Sequence, residues 1–135
     1  MFIPEAYSGL WYEFARSIPS IPWETGCRTA TAFYKLRDDD NVFDVINTCN
    51  ESYQTTGIAY ATKNEYKFKI KFDNNRIGDY WILYTDYDKY SIVSGPGYSY
   101  VWILSRSKNV PKKDIKFLNI ILSDLKIDPS RMVIN

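Results

Sequence analysis

Few side chains in this 135-residue chain are suited to chemistry. It has no histidine, which removes the commonest general base near neutral pH and the commonest metal ligand. Two cysteines remain, Cys27 and Cys49. A nucleophilic thiol needs a lowered pKa, and no imidazole is present to lower one. The run Asp38-Asp39-Asp40 lacks the spaced acids and closing glutamate of a calcium loop. It reads instead as part of a polar hairpin turn from Arg37 to Asn41. Glu13 is an isolated carboxylate within the apolar stretch Leu10–Arg16. These residue types predict neither a cofactor nor a metal site.

Charge and hydropathy narrow the partners. Basic and acidic residues nearly cancel, 17 against 16. With no field of one sign, nucleic acid and anionic membrane surfaces are poor expectations. No apolar run approaches the roughly 20 residues of a membrane-spanning helix. The stretch Met1–Tyr7 has neither a basic nor an apolar signal region. The expectation is a cytoplasmic chain, or a secreted one whose signal was removed.

The remaining residues are organised by strands. Aromatics make up 17% of the chain, including 12 tyrosines and 4 tryptophans, which suits a sheet faced with large rings. The stretch Asp79–Arg106 reads as three consecutive strands joined by Thr85–Tyr90 and by Gly95-Pro96-Gly97. Before it, strands are expected at Gly9–Arg16, Arg28–Leu36, Val42–Cys49, Thr55–Ala61 and Tyr66–Phe72. The last shows clean alternation, with Lys67, Lys69 and Lys71 on one face and Phe68, Ile70 and Phe72 on the other. Ile18–Gly26 carries two prolines and a glycine and is a loop. Ile115, Leu118, Ile121, Leu122 and Leu125 mark an amphipathic helix over Lys112–Lys126, and Met132–Ile134 a short final strand. Eight strands and one helix predict an all-β fold: an eight-stranded up-and-down antiparallel barrel with a C-terminal α-helix packed outside, in one domain over residues 1–135. Such a barrel holds either packed side chains or one small ligand.

Three motifs fall in the order found in lipocalins, and the chain resembles that family over nearly its whole length. They are Gly9-Leu10-Trp11, the turn Thr85-Asp86-Tyr87-Asp88-Lys89-Tyr90, and Leu104-Ser105-Arg106. The surrounding wording is nearest to the bacterial outer-membrane lipocalin and apolipoprotein D branch. The resemblance implies that Gly9, Trp11, Thr85, Asp86, Tyr87 and Arg106 close one end of the barrel, with the Arg106 guanidinium across the Trp11 ring.

The functional surface is then the inward face. Alternation and the family register give Ala15, Ala32, Tyr34, Val45, Asn47, Phe68, Ile70, Phe72, Tyr80, Ile82, Val93, Tyr100 and Trp102 as ligand-binding residues. Glu13, Ala30, Phe43, Gly57, Ala59, Ala61, Tyr84, Ser91 and Leu104 are placed on the same face. Small residues on the second and fourth strands, opposite aromatics, would leave a lopsided cavity. A tyrosine hydroxyl near the barrel floor is the expected partner of Glu13. Ile21 and Trp23 would lie over the open mouth, and Arg16 near the rim could meet an anionic head group. Cys27 and Cys49 flank one hairpin, so a disulfide between them is geometrically allowed. The function expected is a non-enzymatic carrier of a small hydrophobic ligand such as a fatty acid, lysophospholipid, sterol or retinoid-like molecule, acting as a monomer or weak homodimer. Two alternatives remain: an enzyme on a hydrophobic substrate using Cys27, Cys49 or Glu13, and an interaction module in which the barrel is only scaffold.

Overall fold

A computed structural model describes residues 1–18, 26–37 and 42–135. The expected lid residues Ile21 and Trp23 and the acidic run 38–40 lie outside the described residues. Strands run β1 (Gly9–Ser17), β2 (Ala30–Leu36), β3 (Val42–Cys49), β4 (Tyr53–Ala61), β5 (Lys67–Phe72), β6 (Ile77–Thr85), β7 (Tyr90–Ser94), β8 (Val101–Ser105) and β9 (Met132–Ile134). Each of β2 to β7 pairs antiparallel with the next, β8 pairs with β1, and β1 pairs back onto β2. That last pairing closes an eight-stranded barrel, and closure protects the sheet edges. The β1–β2 pairing covers only Gly9–Tyr12, the lower half of β1. Above it β2 is replaced by β9, with Ala15 opposite Ile134 and Ser17 opposite Met132.

Two helices finish the fold. Helix α1 (Pro4–Tyr7) precedes β1 and was not expected from the sequence. It tucks Phe2 and Tyr7 under the barrel, where both are buried. Helix α2 (Lys112–Asp124) packs Leu118 and Leu122 against Ile92, Val101 and Ile103 on the outer face of β7 and β8. It stops before Asp128-Pro129 because Lys126 takes a left-handed conformation, φ 67°. The Ile127 amide then reaches back to the Leu122 carbonyl at 2.9 Å and the Lys126 amide to Ser123 at 3.0 Å. This is a Schellman close, and it returns Ile127 to the apolar cluster under the helix.

The eighth strand is shorter than expected. Tyr98–Tyr100 belong to the connection between β7 and β8, a 3-10 turn over Pro96–Tyr98 with Gly97 at φ 66°. A left-handed position of this kind favours glycine, which has no Cβ to clash.

Two bulges change which way side chains point. In β1 the pairing with β8 slips between Glu13 and Ala15. In β6 the pairing with β7 slips between Ile82 and Tyr84. An extra residue in one strand reverses the alternation beyond it. Ala15 and Tyr84 therefore face outward, into the cluster beneath α2, and not into the barrel as the uninterrupted alternation predicts. Tyr84 packs edge-on against Phe117 of that helix, centroids 6.2 Å apart.

Candidate functional site

The barrel has one closed and one open end. At the closed end Trp11 is fully buried. Its indole N–H donates to the Tyr7 carbonyl at 2.9 Å. The Arg106 guanidinium lies 3.7 Å from the Trp11 ring centroid. Its nitrogens also donate to the carbonyls of Tyr87 (3.0 Å), Leu10 (2.8 Å), Ala6 (3.0 Å), Tyr7 (3.3 Å) and Ser8 (3.0 Å). One planar cation thus gathers α1, the start of β1 and the β6–β7 turn. Gly9 is required for this close approach. Its φ is 102°, and an added Cβ would lie 3.4 Å from Arg106 Nη1. The turn closes itself: Thr85 Oγ1 bonds the Tyr90 carbonyl and the Tyr87 amide, each at 3.0 Å. Asp86 Oδ1 accepts from the Lys89 and Tyr90 amides, each at 2.9 Å.

Above this plug is a cavity of about 320 Å³, at the lower end of the range of roughly 300–1,000 Å³ usual for ligand pockets. Ala32, Tyr34, Val45, Asn47, Ile70, Phe72, Tyr80, Val93, Tyr100 and Trp102 line it, joined by Glu13, Ala30, Thr31 and Leu104. It opens toward the β5–β6 and β7–β8 connections, where Arg76, Gly78, Asp79, Gly95 and Pro96 form the rim. Arg76, Gly95 and Pro96 escaped the sequence reading because alternation identifies strand faces and not turns, while Gly78 and Asp79 lie at the start of β6. Phe68 and Ile82 lie lower, around a second space of about 10 Å³ with Tyr7, Phe43 and Ala59. That space is about the size of one water. Ala15 lines neither space.

The fourth strand does not contribute open volume. Gly57 is crowded: an added Cβ would meet the Lys71 carbonyl oxygen at 2.9 Å and Phe72 at 3.3 Å. Phe72 and Ile70 fill the room over Gly57, and Phe43 and Phe68 share a cluster with Ala59. The open side of the cavity is therefore the alanine wall of β2, Ala30 and Ala32.

The hydrogen-bonded and ion-paired partners described for Glu13 are Arg16 and Asn135, in place of the expected tyrosine hydroxyl. The carboxylate pairs with Arg16 Nε at 3.1 Å and accepts from Asn135 Nδ2 at 2.6 Å. Arg16 in turn donates to the Cys27 carbonyl. It is thus engaged across the gap between the upper parts of β1 and β2. Cys27 and Cys49 are disulfide-bonded, Cα atoms 5.4 Å apart. Cys49 is registered opposite Ala30, so Cys27 meets it from the loop before β2 and not from a paired strand position. Asn50 steadies that loop by accepting from the Arg28 amide at 2.8 Å and donating to the Gly26 carbonyl at 3.0 Å.

Tyr34, Tyr80 and Ile70 border both spaces and so form the cavity floor. Burial pushes the Tyr7 phenol up to about 12, and raises Tyr34 and Tyr80 well above the ordinary tyrosine range. The floor is therefore uncharged near neutral pH.

A lipocalin-like domain model matches residues 5–134. This chain belongs to the lipocalin family. It is 35% identical to the Lazarillo protein of Schistocerca americana over 90% of this chain and 64% of that one. It is 30% identical to apolipoprotein D of Macaca fascicularis over 98% of this chain and 76% of that one. It is 32% identical to the outer membrane lipoprotein Blc of Escherichia coli over 81% and 64% respectively. The lipocalin thus spans just under two thirds of the length of two of these relatives. Among solved structures, lobster apocrustacyanin A1 superimposes with a TM-score of 0.79 at 22% identity, covering 97% of this chain and 77% of that one. At that identity the likeness shows the fold. Members of the family typically bind small hydrophobic ligands.

Proposed function

We propose that this lipocalin binds and carries one small hydrophobic molecule in its barrel. Candidates are a fatty acid, lysophospholipid, sterol or retinoid-like compound. The observation that supports this most is the 320 Å³ cavity, apolar on most of its wall and open at the end opposite the Trp11–Arg106 plug. Burying an apolar chain there gains roughly 25 cal/mol per Å² before the cost of immobilisation. A binder is favoured over an enzyme because both cysteines are held in a disulfide and no histidine is available. The carrier would act as a monomer or weak homodimer.

Trp102 lines the cavity, so intrinsic fluorescence reports occupancy. Titration with fatty acids and retinol should quench it saturably at one ligand per chain. Ala30→Phe, which places a ring in the open wall, should weaken binding at least tenfold. Quenching that is equal in Ala30→Phe would place the ligand elsewhere.

A further inference from the structure

Four hydroxyl groups meet at and beneath the cavity floor. Tyr34 Oη donates to Tyr80 Oη at 2.9 Å. Tyr80 Oη lies 2.7 Å from Tyr7 Oη, which lies 2.7 Å from Ser91 Oγ. The four residues come from β2, β6, α1 and β7, so the barrel must close and plug before the array exists. Tyr7 and Ser91 are buried below the floor, while Tyr34 and Tyr80 also border the cavity.

Each hydroxyl supplies one proton and two acceptor positions. The proton of Tyr34 is committed to Tyr80. The Tyr7–Tyr80 contact can run in either direction. When Tyr7 donates, Tyr80 has accepted twice and its own proton is left over. When Tyr80 donates to Tyr7, it keeps one lone pair, and the surplus proton passes to Ser91. In both arrangements Tyr80 retains one uncommitted hydrogen-bonding position, because it bonds only Tyr7 and Tyr34 among the described residues.

We propose that Tyr80, backed by Tyr7, Tyr34 and Ser91, is a polar subsite that selects an apolar ligand carrying a neutral oxygen, a hydroxyl or a carbonyl, at its inner end. The proposal rests on the carrier reading and deepens it. Reversing the Tyr7 contact changes Tyr80 from a donor, suited to a carbonyl, to an acceptor, suited to an alcohol. A purely hydrocarbon end at the floor would leave that position stranded in an apolar space. A carboxylate there would be an anion buried against one phenol. The phenols are themselves held neutral by burial. The nearest guanidinium below, Arg106, is engaged with Trp11 and backbone carbonyls. A fatty acid is therefore expected to enter tail first, its carboxylate at the Arg76 rim.

The test compares dodecanol, methyl undecyl ketone, laurate and dodecane on the native chain and on Tyr80→Phe. The Kd ratio of dodecanol to dodecane should rise about three- to tenfold in Tyr80→Phe, the range of one net hydrogen bond, and the ketone ratio likewise. The laurate ratio should not rise. A ratio that stays constant for both neutral probes, or one that rises most for laurate, overturns the subsite and leaves the carrier standing. Failure of all four probes to bind overturns both. The infrared carbonyl stretch of the bound ketone needs no variant. It should lie below its frequency in alkane solvent, and an unshifted band contradicts the proposal.

Discussion

Single residues carry the closure of this barrel. Arg106 matches a planar fork of donors to five carbonyls and one indole face. A lysine keeps the charge but not the fork. Arg106→Lys should therefore cost roughly 2–4 kcal/mol, several carbonyls losing a charged donor at once, read as a lower denaturant midpoint. The floor tyrosines make stability sensitive to alkali. Their pKa values are raised in the fold above the ordinary 10.0, so folded and unfolded chains carry the same protons below that pH. Above it the unfolded phenols ionise first. Stability should be flat up to about pH 10, then fall by up to about 1.4 kcal/mol per pH unit per tyrosine. Urea midpoints across that range check this; a flat profile beyond pH 10 would mean the phenols are not held neutral. Trp11 and Arg106 were legible in the sequence because their motifs sit at recognisable spacing. The Asn135 partner of Glu13 was not, because it lies 122 residues away, just past a strand that only the closed barrel brings near.

The elements differ in how much of them the sequence displays. Strand β5 has one wet and one dry face, so its lysines and apolar residues alternate openly. Near their bulges, strands β1 and β6 are covered on both faces, by the interior and by the cluster beneath α2. A bulge in such a strand leaves no polar residue out of place, which is why Ala15 and Tyr84 could not be seen to turn outward. Helix α1 spans four residues, too short for any periodicity to reveal it. Its contribution is nevertheless large. Phe2 packs against Tyr7, Tyr66, Phe68 and Tyr87, centroids 5.4 to 6.1 Å apart. Phe2→Ala should destabilise the fold by about 3 kcal/mol, measured by chemical denaturation. A loss under 1 kcal/mol would mean that the arm is not part of the plug.

At the scale of the whole molecule, the closed end is held by Trp11 and Arg106 and the upper gap between β1 and β2 by other means. There β9 pairs with β1, Arg16 donates to the Cys27 carbonyl across the gap, and the Cys27–Cys49 disulfide ties that loop to the end of β3. The disulfide spans 22 residues, so reduction should cost about 3 kcal/mol through the freed chain entropy of the unfolded state. It should also loosen the open rim before the plug, giving faster hydrogen exchange at 26–30 than at Trp11. Equal acceleration at both ends would contradict that division. The central claim is that the space between the two ends holds a ligand. Native mass spectrometry of the chain incubated with dodecanol or laurate tests it most directly. The account predicts one adduct per chain, lost in Ala30→Phe; no adduct, or adducts of equal number and strength in the filled variant, would contradict it.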